Sequence, residues 1–175
     1  MITSHHSRST RRFRSFFCGA RLDRVPALAL VLLLLTVTPG RAAAGPTNIA
    51  RVDDYIDAPR ALFGRTRAEL EQRLGAPTGE RRRGDGVALT WPGLEVALSR
   101  SARVAAVVVS ASGRPLPHGL DVGTPRARVE TVLGEPLEAT DERWFYPDAD
   151  GFPNSVEFFF RDGRVIRIEW RFWAD

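Results

Sequence analysis

The residues able to do chemistry are few in this chain. Its one cysteine, Cys18, and two of its three histidines, His5 and His6, fall within the first 44 residues, so His118 is the remaining imidazole. A Ser–His–Asp arrangement would have to recruit it from Pro117-His118-Gly119, and no G-x-S-x-G run accompanies it. Asp148-x-Asp150-Gly151 begins like a calcium loop, but Phe152 stands where a further oxygen ligand is needed, and a hairpin loop is the better reading. Arg83-Gly84-Asp85 is the tripeptide that adhesion receptors read, yet it lies inside Glu80–Gly86, a run with the composition of a solvated charged turn. Glu157 and Glu169 can be cross-strand neighbours, and ion pairs to Arg167 or Arg171 account for them without acid–base chemistry. No phosphate loop or metal-ligand spacing occurs. The expectation is a protein that is not an enzyme and takes no cofactor and no metal.

What does stand out is aromatic. Trp144, Phe145, Tyr146, Phe152, Phe158, Phe159, Phe160, Trp170, Phe172 and Trp173 crowd the C-terminal third. Strand alternation puts Phe158 and Phe160 on one face and Phe159 on the other. It likewise sets Ile166, Ile168, Trp170 and Phe172 opposite Arg167, Glu169, Arg171 and Trp173. The first face is expected to be core. The second would carry Phe159, Trp173 and Arg171, with either Phe145 or the Trp144/Tyr146 pair. Trp, Tyr, Phe and Arg mixed on one face have the composition of a protein-binding hot spot. Packing between two halves of the chain, or cover from residues 45–61, would explain the same aromatics.

The elements that must position these residues show themselves as a repeat. Residues 64–77 (GRTRAELEQRLGAP) and 123–136 (GTPRARVETVLGEP) agree at seven of fourteen positions at an offset of 59. Each copy predicts one short helix. Thr66 caps the first, with Glu69 reaching back, and Leu70 and Leu74 share a face. Thr124 caps the second, with Pro125 at its first turn. Gly75 and Gly134 end them, and Pro77 and Pro136 prevent continuation. Strands are predicted over 87–91, 94–98 and 104–109 after the first helix, and over 143–146, 156–160 and 165–170 after the second. Pro92-Gly93 and Asp162-Gly163 supply turns between them.

The fold expected is α+β: two tandem repeats, each a short helix packed on a three- to four-stranded antiparallel sheet. The first module spans 62–113, the linker 114–119 and the second module 120–175. Residues 45–61 form an N-terminal extension for which no element is predicted.

The G-x-x-x-x-x-L/V-x-x-x-L-G-x-P helix motif, the aromatic strand Trp144-Phe-Tyr146 and the final turn Asp162-Gly163-Arg164-Val165 together resemble the SmpA/OmlA-type (BamE-like) module. Two such modules in tandem are similar to the β-lactamase inhibitory protein family. That resemblance implies a helix-on-sheet fold and a role in binding proteins rather than catalysis. The lipobox cysteine of BamE-like proteins and the disulfides of the inhibitory family have no counterpart here, so it implies neither a lipid anchor nor cross-links.

Charge and targeting set the compartment. The net charge of +4 comes entirely from arginine, and seven of the 25 arginines fall within residues 1–44 beside a single acid, Asp23. A positive stretch, the apolar run from Pro26 to Pro39 and Ala42-Ala43-Ala44 are the three parts of a secretory signal peptide. Removing it before Gly45 leaves 18 arginines against 20 acids, and a nucleic-acid partner loses its support. The first half of the mature chain is positive and the second negative, which complementary faces between modules would explain.

The expected protein is therefore exported, periplasmic or secreted, and soluble after cleavage. It touches a membrane only through an uncleaved signal. Its expected partner is another protein, held by Trp144, Phe145, Tyr146, Phe159, Arg171 and Trp173. The alternatives are a small periplasmic ligand-binding domain or enzyme using His118, or a purely structural envelope protein.

Overall fold

Two glycines in the same backbone shape mark where the helical repeat stops. The computed structural model describes residues 45–149 and 153–174. The expected signal over 1–44 and the Asp150–Phe152 part of the supposed calcium loop lie outside the described residues. Helix α2 (Arg67–Leu74) ends at Gly75 and α3 (Arg126–Leu133) at Gly134, both at φ 78°, with their N–H groups bonded to the carbonyls of Glu71 and Glu130. Thr66 caps α2 as expected, accepting from the Glu69 N–H, while Glu69 Oε2 accepts from the Arg65 N–H at 2.8 Å. Thr124 does not cap α3. Pro125 takes that position, and the Thr124 hydroxyl instead accepts from the Asp121 N–H at 2.9 Å.

The strands are β1 (Gly79–Arg83), β2 (Gly86–Trp91), β3 (Leu94–Leu98), β4 (Val104–Val109), β5 (Glu138–Ala139), β6 (Arg143–Pro147), β7 (Ser155–Arg161) and β8 (Arg164–Arg171). Six of these lie where the alternation predicted them. The charged run Glu80–Arg83, expected to be a turn, is most of edge strand β1, whose arginines discourage further pairing along that edge.

The expectation of two tandem modules, each with its own sheet, is corrected. All the strands join in one antiparallel sheet of eight, in the order β1-β2-β3-β4-β8-β7-β6-β5. The join is the pairing of β4 with β8, from Ala106 opposite Arg171 to Val109 opposite Ile168. Each meander alone would end in an unpaired apolar edge, and pairing the two edges satisfies both.

The extension is also part of the core. Helix α1 (Ile49–Phe63) is capped by the Asn48 side chain and buries Val52, Tyr55, Ile56 and Phe63. Tyr55 stacks on Phe158 and on Trp170, with centroids 5.4 Å apart in each case. Its hydroxyl donates to the Leu120 carbonyl at 2.8 Å, and the Trp170 indole donates to the Tyr55 carbonyl at 2.9 Å. Each large apolar side chain buried this way contributes about 1.5–3 kcal/mol.

The duplicated helix stops are used alike. The Trp91 indole donates to the Gly75 carbonyl at 3.1 Å, and the Tyr146 hydroxyl to the Gly134 carbonyl at 3.0 Å. Leu70, Val129 and Leu133 join the same core as the β-strand residues Leu89, Val107 and Trp170. All three helices thus cover one face of the sheet, and among the described residues none covers the other.

Candidate protein-binding face

The register of the sheet decides what the open face displays. Phe145 lies opposite Glu157, Glu157 opposite Glu169, Glu169 opposite Val108, and Val108 opposite Glu95. One step along, Arg143 faces Phe159 and Phe159 faces Arg167. Phe145 and Phe159 are diagonal neighbours on adjacent strands, a spacing of roughly 7–8 Å between backbones.

Two like charges directly opposite each other would weaken the sheet unless compensated. Glu157 and Glu169 are both buried, at 6% and 8% exposure, and three arginines answer them. Arg143 Nη1 reaches Glu157 at 2.9 Å and Arg171 Nη2 reaches Glu169 at 3.1 Å. Arg171 Nε lies 3.7 Å from Glu157, and Arg167 Nη2 lies 3.7 Å from Glu169. Bonding to Glu157, with a smaller contribution from Glu138, holds the Arg143 guanidinium above its ordinary range. Arg167 also stacks over the Phe159 ring, 3.8 Å from its centroid.

With every carboxylate answered by a guanidinium, this lattice is poorly placed to pass protons. It is well placed to hold three guanidinium planes, and the Phe159 ring stacked beneath one of them, in fixed positions. Farther across the sheet, Arg81 bonds Glu95 at 2.7 Å over β2, and Ala88 beneath the pair is fully buried. A shallow cavity of about 540 Å³ with an alanine floor (Ala97, Ala105, Ala106) reaches Glu169 and Arg171. At the opposite border a cavity of about 370 Å³ is lined by Phe159 and the exposed Ile166.

The residues singled out from sequence separate into three groups. Phe145, Phe159 and Arg171 come together on the open face. Trp144 and Tyr146 do not: they are 2% and 0% exposed and point under the helices. Trp144 packs against Phe160 with centroids 4.9 Å apart, and Tyr146 against Phe158 at 6.0 Å. This settles the choice left open for β6 in favour of Phe145, because the face covered by α1 and α3 is the one that takes the larger aromatics. Trp173 is 64% exposed but sits past the far end of β8, six residues and roughly 20 Å of strand from Arg167. Ile166, expected in the core, is exposed because the register shifts at Phe159/Phe160 leave it unpaired. Sequence reasoning missed Arg143, although its alternation with Phe145 on one strand was the available signal.

His118 Nε2 pairs with Asp54 at 3.0 Å, which joins the turn Pro117–Gly119 to α1. The arginine–carboxylate pairs among the described residues run within each half of the chain (Arg67–Glu80 and Arg81–Glu95 in the first, Arg143–Glu157 in the second), while His118–Asp54 crosses between them, so the expected complementary arginine and acid faces between modules are not what the charges form. Among the described residues no group of three or more His, Cys, Asp or Glu is placed to hold a metal, and no helix is long and apolar enough to cross a membrane.

No protein-family model matches the chain, and no curated protein matches it. Its fold is similar to part of an extracellular protein containing an SCP domain from Bacillus anthracis, solved at 1.5 Å, with a TM-score of 0.52 and 11% identity. That similarity covers 64% of this chain but only 44% of the other, so the chain spans less than half of that structure. A DUF4309 family protein from Bacillus subtilis aligns with a TM-score of 0.45 and 13% identity, over 71% of this chain and 99% of its own. Neither is described as an SmpA/OmlA-type or β-lactamase inhibitory protein.

Proposed function

We propose that this is an exported, non-catalytic protein that binds another protein through the open face of its sheet. Phe145 and Phe159 serve as apolar anchors, and Arg143, Arg167 and Arg171 as the polar surround. The observation behind this reading is the lattice itself: two partly exposed rings on an uncovered face, Phe159 beneath the Arg167 guanidinium and Phe145 beside Glu157, with buried carboxylates already orienting the arginines. A surface ordered before binding loses less side-chain entropy on association.

Export rests on the three-part signal in residues 1–44 and agrees with the extracellular nature of the SCP-domain protein whose fold is similar. The SmpA/OmlA-type resemblance of the repeat favours a partner among envelope-assembly components or secreted hydrolases that would be inhibited.

The test compares capture of partners from the native envelope and secreted fractions by the parent chain, Phe145→Ala and Phe159→Ala. Both variants should keep the parent's circular dichroism and lose the captured protein. Retained capture by both folded variants would sink the proposal.

A further inference from the structure

At the end of β8 the chain gathers positive charge that the fold does not require. Arg60, Arg65 and Arg103 line one cavity of about 370 Å³ together with Val104, Trp173 and Ala174. Their convergence is built into the backbone: Thr66 bridges to Arg103, and the Val104 N–H donates to the Arg65 carbonyl at 3.0 Å. Among the described residues neither the Arg65 nor the Arg103 guanidinium has a hydrogen bond, an ion pair or a ring contact. Arg60 is held in place, with its guanidinium 4.2 Å above the Phe172 ring and Nη2 donating to the Trp173 carbonyl at 3.3 Å. Burial, and then the charge of Arg65, pushes the Arg60 guanidinium below its ordinary range, with Asp57 offsetting this in part.

The second half of the chain supplies an internal comparison. Its corresponding bridge joins Pro125 to Arg164, and Thr124 stands where Arg65 stands in the first half. There the lone Arg164 donates to the Gly123 carbonyl at 3.0 Å. The same backbone junction is thus made once without any crowding of cations. Three guanidiniums in one cavity repel one another, and nothing in the junction calls for them.

We infer that this cavity is a binding site for a phosphate monoester dianion carried on an aromatic or apolar group, with Arg60, Arg65 and Arg103 around the phosphate and Trp173 against the remainder. Planar guanidinium forks match phosphate oxygens two at a time. A dianion also neutralises more of the cluster than a single carboxylate does. The indole of Trp173, 64% exposed at the rim, offers an apolar surface that the charged cluster itself does not use.

The probe is phenyl phosphate, titrated into the intact chain by calorimetry at constant ionic strength, beside inorganic phosphate and benzoate. The Trp173 indole is followed by NMR, since Trp91, Trp144 and Trp170 are 5%, 2% and 0% exposed. Saturable binding of phenyl phosphate is expected, tighter than either comparison anion, with the Trp173 resonance shifting. Arg65→Ala and Arg103→Ala, both at exposed positions, should each weaken it about tenfold or more, a charge-assisted bond's worth. Arg82→Ala, an exposed arginine outside the cavity, should leave it unchanged. No saturable binding, equal binding by Arg65→Ala and Arg103→Ala, or benzoate binding as tightly as phenyl phosphate would each overturn the inference.

Discussion

Alanine substitutions at two adjacent residues of β6, Trp144 and Phe145, separate the two faces of the sheet in one experiment. Trp144 is 2% exposed, edge-on to Phe160 and within 5.6 Å of the Arg126 guanidinium. Trp144→Ala removes the indole from a packed core and leaves a cavity, a change that costs about 3–5 kcal/mol. For a domain of this size that corresponds to a fall in Tm on the order of 10–20 °C. Phe145 instead lies on the open face between Glu138 and Glu157, and its truncation removes only cross-strand contacts, about 1 kcal/mol or less. Urea unfolding with circular dichroism reads both, with the m-value checked for constancy so that the midpoint reports stability alone. Partner capture should then show the opposite order, with Phe145→Ala defective while folded. If Phe145→Ala destabilises as much as Trp144→Ala, β6 has the reverse facing and the binding-face reasoning collapses with it.

Gly75→Ala and Gly134→Ala place a side chain at the same strained backbone shape, so each should lose roughly 1–3 kcal/mol. Gly134→Ala should lose more, because a Cβ there would sit 2.3 Å from the Pro46 carbonyl oxygen, whereas at Gly75 it meets open space; equal midpoints in urea would contradict the packing of residues 45–48 against α3. Alkaline titration is the next check. Burial, aided by Asp121 for Tyr55 and by Glu130 for Tyr146, pushes both phenols above their ordinary range. Their contribution is then complete below about pH 10, where free phenols ionise, and is lost as pH rises beyond it. Tyr55→Phe should flatten that alkaline decline in stability while lowering stability at neutral pH by about 1–3 kcal/mol through the unpaired Leu120 carbonyl; an unchanged alkaline profile would refute the assignment.

Local chemistry alone determined the helix stops, the Asp162-Gly163 turn and, away from the register shift that exposes Ile166, the relative facing of side chains along the strands. Gly75 and Gly134 end their helices because no other residue adopts that backbone shape without strain. Asp162 and Gly163 take positive φ values of 51° and 70°, which close the β7–β8 hairpin. Phe158 and Phe160 oppose Phe159 because the strand period is two. The repeat was likewise legible, since each copy brings its own helix stop and the strands that follow it, although only the first brings a side-chain cap.

Only the tertiary structure decided which of two alternating faces is buried. Period two tells that Trp144 and Tyr146 oppose Phe145, but either set could be the core until α1 and α3 are seen to cover one side. The joining of β4 to β8 is equally invisible locally, because pairing two edges as distant in sequence as Ala106 and Arg171 depends on the whole chain's path. Helix α1 showed too little pattern to be predicted, yet Tyr55 sits between Phe158 and Trp170 and closes the core. The arginines at 60, 65 and 103 meet for the same reason: their convergence is a property of how the helices and the sheet come together, and sequence spacing carries no trace of it.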